Sequence, residues 1–133
     1  MPISPTEVEH HERLSRFIYD ERAIDRKRGV ARQQAFRLDG DEVSVFRTSE
    51  LTEAETWRLE AEHIAPSYNR PVVACAHFGP DAVPANRLRV IPAEPPPRHA
   101  CIRGWPLGQN EIDQAERLYL RQQIAASTRL TYP

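Results

Sequence analysis

The chain has 133 residues, a formal net charge of −1 and 40% apolar residues, which predicts one domain, 1–133, with one modest core. A charge near zero gives no global field to attract nucleic acid. No apolar run approaches a membrane span, and the opening Met1-Pro2-Ile3-Ser4-Pro5 lacks the basic-then-apolar layout of a signal peptide, so no membrane association and a cytoplasmic location are expected.

In that compartment the two cysteines read as thiols or ligands before they read as a disulfide. Basic residues are almost all arginine, with Lys27 the one lysine. A GC-rich genome accounts for this by enriching Arg, Ala and Pro together. Arginine also favours bidentate contacts to carboxylate and phosphate.

Residues 6–19 are expected to form a helix, because Val8, Leu14, Phe17 and Ile18 fall near one face. Phe17-Ile18-Tyr19 could instead begin a strand. The charged stretch from Asp20 to Arg32, interrupted by Gly29, reads as a solvated loop or short helix. Ala35–Leu38 and Val43–Arg47 flank Asp39-Gly40-Asp41, a hairpin signal. Val43, Val45 and Arg47 then share one face.

Thr52-Glu53-Ala54-Glu55 fits a capping box and opens a helix that Pro66 ends. Its apolar positions are Ala54, Trp57, Ala61 and Ile64, with His63 in the last turn. Val72–Phe78 reads as a buried strand, Leu88–Ile91 as another, and His99–Arg103 as a third after the Pro95-Pro96-Pro97 connector. Asn110 caps a last helix whose expected apolar face is Ile112, Ala115, Leu118, Tyr119 and Ile124. Segments 1–14 and 128–133 are expected to be loosely ordered. The sum is an α+β fold, a small mostly antiparallel sheet with about three helices packed on it.

Two constellations could carry chemistry. Cys75-Ala76-His77 is mirrored by His99-Ala100-Cys101, and on neighbouring antiparallel strands Cys75, His77, His99 and Cys101 could form a Cys2His2 zinc site. The alternative is that both cysteines are core residues and both histidines are independently placed. The second constellation is Arg98-His99 at the start of a strand, with Arg47 and Arg103 as companions for an anion and Trp105 as packing or a stacking platform. His99 could act as a general acid or base. No P-loop, G-x-G-x-x-G, G-x-S-x-G or H-E-x-x-H motif is present.

Ser44-Val45-Phe46-Arg47, followed by Leu51 and Trp57, and then Pro97-Arg98-His99-Ala100 through Ile102 and Gly104-Trp105-Pro106, resemble the S-V-F-R and P-R-H-A-x-I-x-G-W-P segments of a small uncharacterised bacterial protein family. The likeness runs from about Ser15 to the last helix. It implies a single-domain cytoplasmic protein with Arg47, Arg98, His99 and Trp105 in motif positions. Cys75, His77 and Cys101 lie outside that motif, which disfavours zinc.

The resulting expectation is a binding or accessory module that needs no cofactor. It would recognise a protein partner encoded nearby, as in a toxin–antitoxin or defence-type operon, or a nucleotide or other phosphate- or carboxylate-bearing ligand. The ligand-binding candidates are Arg47, Arg98, His99, Arg103 and Trp105. The alternatives are a small metal-independent enzyme on a phosphodiester or nucleotide, with His99 as general acid/base, and a zinc-bound structural protein.

Overall fold

A computed structural model describes residues 3–133. Six strands form one antiparallel sheet in the order β6-β7-β4-β1-β5-β8. The strands are β1 Leu14–Ile18, β4 Val43–Arg47, β5 Ala74–Phe78, β6 Arg89–Pro92, β7 His99–Arg103 and β8 Arg129–Thr131. Two-residue strands β2 (Ile24–Asp25) and β3 (Val30–Ala31) make a separate small hairpin, closed through Gly29 at φ +71°. The α-helices are α1 (Glu53–His63) and α2 (Glu111–Ala126). The class is α+β as expected, with two α-helices in place of about three. Among the described residues no helix is long and apolar enough to cross a membrane.

Strand alternation divides the core between the two faces of the sheet. One face carries Leu14, Ile18, Val43, Val45, Ala74, Ala76, Phe78, Ala100, Ile102 and Leu130, packed against Phe36, Trp105 and the Leu120, Ile124 and Ala125 side of α2. The other carries Phe17, Phe46 and Cys75 beneath Leu59, Trp57 and Ile64. Burying both faces of β5 explains its near-continuous run of small and apolar residues.

The expected helix at 6–19 is replaced by β1. Its central position, between β4 and β5, buries Phe17 and Ile18 on opposite faces, which a one-faced helix does not do. Val43–Arg47 is a strand as expected, but Ala35–Leu38 is not its hairpin partner. Gln33–Phe36 forms a 3-10 turn that drops Phe36 into the core, edge-on to Phe78 with ring centroids 5.6 Å apart.

The 20–32 stretch contains a 3-10 turn at Glu21–Ala23, capped by Asp20, as well as the β2–β3 hairpin. Pro95–Arg98 is a tight turn joining the β6–β7 hairpin rather than an extended connector. Of the two segments expected to be loose, residues 1–2 lie outside the described residues. Arg129–Thr131 pairs with β5 as β8, and Thr128 Oγ1 accepts from Ala31 N at 2.8 Å. Residues 3–13 are tied down through Arg47, as described below.

α1 has the expected capping box: Thr52 Oγ1 accepts from Glu55 N at 3.1 Å, and Glu55 Oε1 accepts from Thr52 N at 2.9 Å. Thr52→Ala is expected to lower stability by about 1 kcal/mol, read as a lower urea midpoint with an unchanged m-value. The helix is rotated from the expected face. Thr56, Leu59 and Glu60 are buried, whereas Ala54 and Ala61 are exposed. Buried Glu60 accepts from Tyr19 OH at 2.6 Å, so one polar residue belongs to the core side.

Asn110 caps α2 as expected, accepting from Asp113 N at 2.9 Å. Only Ile124 of the expected apolar face is fully buried. Ile112 is 79% and Tyr119 58% exposed, because the helix turns Leu120, Ile124 and Ala125 inward.

Candidate functional site

β1 pairs with β5 through all its residues, Leu14 to Ile18, but with β4 only at Leu14 and Ser15. Beyond Ser15 the two strands part, and Arg16 fills the seam. Its Nη1 donates to the unpaired Ser44 carbonyl at 2.8 Å and its Nε to Ala35 O at 3.0 Å. Among the described residues Arg16 has no carboxylate partner within ion-pair distance. Burial pulls its pKa below the ordinary value, against the more distant Tyr68, Asp39 and Tyr19, which favour the charge.

Two cavities meet at Arg16, Phe17 and Tyr68, which line both. The first, about 280 Å³, adds Tyr19, Asp20, Gln34 and Arg70. The second, about 210 Å³, adds Ser44, Phe46, His63, Ser67 and His99. Tyr68 stacks on Tyr19 at 3.8 Å between ring centroids. Asp20 is already engaged by Arg22 at 3.0 Å, and the second cavity has no carboxylate in its wall. The cleft lining therefore combines the Arg16 guanidinium, aromatic rings and the Ser44 and Ser67 hydroxyls. This composition suits a small anionic ligand with a flat or apolar body.

His99 reaches this cleft from β7. Its Nδ1 lies 2.8 Å from Ala93 O, and a carbonyl can only accept, so Nδ1 carries a proton. In the neutral ring Nε2 is then a lone-pair acceptor, with no protein partner among the described residues. The ring packs against Phe46 with centroids 5.4 Å apart. The turn that positions it holds Arg98 at φ +65°, a left-handed conformation unusual for a non-glycine residue. Arg47 N donates to Arg98 O at 2.8 Å, Arg98 Nη1 donates to Arg47 O at 3.2 Å, and Arg98 N donates to Glu94 Oε2 at 3.2 Å.

The remaining expected residues lie elsewhere. Arg47 is 1% exposed and faces Glu12, with Nε–Oε1 at 2.8 Å and Nη2–Oε2 at 2.7 Å. It also donates to Ser4 O and Glu7 O at 2.6 and 2.9 Å, so it clamps the N-terminal segment onto the sheet. Arg103 pairs with Glu42 at 2.8 Å on the surface. Trp105 is 4% exposed, and its Nε1 donates to Ile102 O at 2.9 Å. It is core packing and offers no stacking face. Of the expected set, only His99 lines the cleft.

The Cys/His mirror does not converge. Strands β5 and β7 are separated by β1 and β4, three interstrand steps or about 14 Å. One metal with bonds of about 2.3 Å cannot bridge that distance. Among the described residues no group of three His, Cys, Asp or Glu side chains could hold a metal ion. Burial pushes the Cys75 thiol up to about 12. Cys101, raised to about 12 by burial and its hydrogen bond to Glu42, donates to that carboxylate.

A second polar cluster lies at the opposite edge of the α1 face. Ser15 Oγ is 2.7 Å from His77 Nδ1 and 2.6 Å from Thr48 Oγ1. Arg13 Nε donates to Thr48 Oγ1 at 3.0 Å, and His77 Nε2 is 2.9 Å from Thr131 Oγ1. Ser15 and His77 have the spacing of a nucleophile and its base. Ser15 is fully buried, however, so no substrate carbonyl or phosphorus can reach its Oγ.

Sequence reasoning missed Arg16, Ser44, His63, Ser67 and Tyr68 as cleft residues. A signal for Arg16 existed. Within Leu14-Ser15-Arg16-Phe17-Ile18 read as a strand, alternation places Arg16 on the core face with Leu14 and Ile18. A cation there demands an explanation. In comparisons with known proteins, the chain matches no family model, no curated protein and no solved structure.

Proposed function

We propose that the chain is a binding module for a small anionic ligand, a phosphate or carboxylate on a flat or apolar body, held in the Arg16 cleft. The observation that supports this reading is Arg16. It is a part-buried guanidinium anchored by two carbonyls, it meets no carboxylate among the described residues, and it lines both cavities. Uncompensated cations are costly inside a protein unless a ligand or solvent supplies the counter-charge. Phe17 and Phe46 would flank the ligand body, and Ser44, Ser67 and His99 would contribute polar contacts.

The test is a ¹H–¹⁵N NMR titration with AMP, benzoate and inorganic phosphate. AMP or benzoate should shift Phe17, Ser44, Tyr68 and His99 saturably at about millimolar concentration or below. Arg16→Gln should weaken that binding at least about tenfold, the equivalent of about 1.4 kcal/mol, and Arg16→Lys should weaken it less. The reading fails if no probe moves these signals, or if Arg16→Gln binds as the natural sequence does.

A second reading is favoured by the tautomer of His99. With Nδ1–H committed to Ala93 O, its free Nε2 could take a proton from water or an alcohol next to Arg16, as a phosphodiesterase would require. Turnover of a generic phosphodiester by the natural sequence, lost in His99→Ala, would move the assignment from binding to catalysis.

A further inference from the structure

The Ser15–His77 cluster is separate from the Arg16 cleft, and its hydrogen bonds can all run one way, starting from Arg13. Arg13 Nε is donor-only, so Thr48 Oγ1 must accept from it. Thr48 is fully buried, and among the described residues its own O–H has Ser15 Oγ as its acceptor. The opposite direction would strand that buried proton, which is costly. With Thr48 donating to it, Ser15 O–H can donate to His77 Nδ1, and in that arrangement His77 Nε2–H donates to Thr131 Oγ1. In that direction the chain of bonds ends with a Thr131 O–H that has no acceptor among the described residues.

Thr131 O–H meets a cavity of about 260 Å³ lined by Arg13, Glu53, Thr56, Trp57, His77, Arg129 and Thr131. Arg13 is held by hydrogen bonds from Nη2 to Thr48 O and Leu51 O at 2.8 and 3.2 Å, and its Nη1 has no partner among the described residues. Arg129 sits opposite His77 in the β5–β8 register and makes no ion pair or hydrogen bond among the described residues. Two guanidinium groups and one outward hydroxyl thus face one small cavity. The Glu53 carboxylate and the neutral His77 ring are the other titratable groups on its wall, so positive charge remains in excess.

We infer that the β5–β8 edge is a second anion site, for the oxyanion of a phosphate group, formed by Arg13, Arg129 and the Thr131 hydroxyl. A tetrahedral oxyanion can receive donors from three directions at once, and these three side chains line the same cavity. The relay from Arg13 through Thr48, Ser15 and His77 orients the hydroxyl. The cavity, about 260 Å³, is just below the usual ligand-pocket range of about 300 Å³ and upward and has room for a phosphate or phosphomonoester head.

NMR titration with inorganic phosphate, with acetate as the comparison anion, tests this assignment. Phosphate should shift Thr131 and Arg129 and the Arg13 Nε–H saturably, and acetate should do so more weakly. Arg129→Gln, a change at an exposed position, should weaken phosphate binding about tenfold or more, and Thr131→Val should weaken it measurably. Arg16→Gln should leave these shifts unchanged, which separates this site from the cleft. Long-range ¹H–¹⁵N spectra should show His77 protonated at Nε2. The assignment is overturned if phosphate gives no saturable shift at Thr131, if Arg129→Gln binds phosphate equally well, or if His77 carries its proton on Nδ1.

Discussion

Glu12→Ala is expected to destabilise the fold by about 3–5 kcal/mol, the usual cost of leaving one partner of a buried ion pair uncompensated. Arg47 is 1% exposed and meets both Glu12 oxygens at 2.8 and 2.7 Å. Without Glu12 it would keep the Ser4 and Glu7 carbonyls, which are dipoles and not counter-charges. Burial raises the Glu12 pKa, but the hydrogen bonds from Arg47 and the Glu9 backbone outweigh it and hold the carboxyl below its ordinary value. The ionised form is therefore the native one.

Arg47→Ala should be comparably severe, since it strands Glu12 and frees the N-terminal segment. In the double variant neither charge is left alone, so its loss should fall clearly short of the sum of the single losses. Urea denaturation with constant m-values reads all three. Additive losses, or a Glu12→Ala loss under about 1 kcal/mol, would show that the pair behaves as an exposed one.

This pair shows what the sequence could and could not convey. The row Val43, Val45, Arg47 on one strand face was legible from alternation alone, and so was the unusual position of Arg47 in it. Its partner was not, because Glu12 lies 35 residues away in a segment whose periodicity suggested a helix. Local signals transferred well: the capping box of α1, the Asn110 cap of α2 and the strands at 43–47 and 99–103 all depend on near neighbours in the chain. Strand order did not transfer. Cys75 and Cys101 sit on equivalent faces, as alternation required, yet two strands come between them. The zinc arrangement needed adjacency, which no local pattern encodes. The helix faces failed for a related reason. Tyr19 brings Glu60 inward through a hydrogen bond, and the α1 stripe rotates to suit it. His99 was found because it follows a turn at the start of a strand. Arg16 became visible only once β1 was known to be a strand that leaves β4 after Ser15.

Acid should weaken the fold in two separate windows, and His77 sets the upper one. The ring is 7% exposed and spans Ser15 and Thr131, with Arg13 and Arg129 as the neighbouring cations. Burial, followed by repulsion from those two arginines, lowers its pKa from 6.5 to about 4. The folded protein therefore binds this proton less readily than the unfolded chain does. The stabilisation is complete above pH 6.5, where His77 is neutral in both states, and it is lost progressively as pH falls from there to about 4. At about 1.36 kcal/mol per pH unit, the loss over that window is about 3 kcal/mol. Glu12 acts lower on the acid side. Its lowered value protects the fold above the ordinary carboxylate pKa of 4.5, and that protection disappears only as pH drops further. His77→Gln keeps an acceptor for Ser15 and a donor for Thr131 but cannot take up a proton. The variant should start less stable at neutral pH, because the amide replaces a well-fitted ring, yet its urea midpoint should stay nearly level from pH 6.5 to about 4.5. The natural sequence should fall steeply across the same interval. Parallel curves for the two proteins would show that some other group carries the upper window and that the His77 ring is already solvated when it takes its proton.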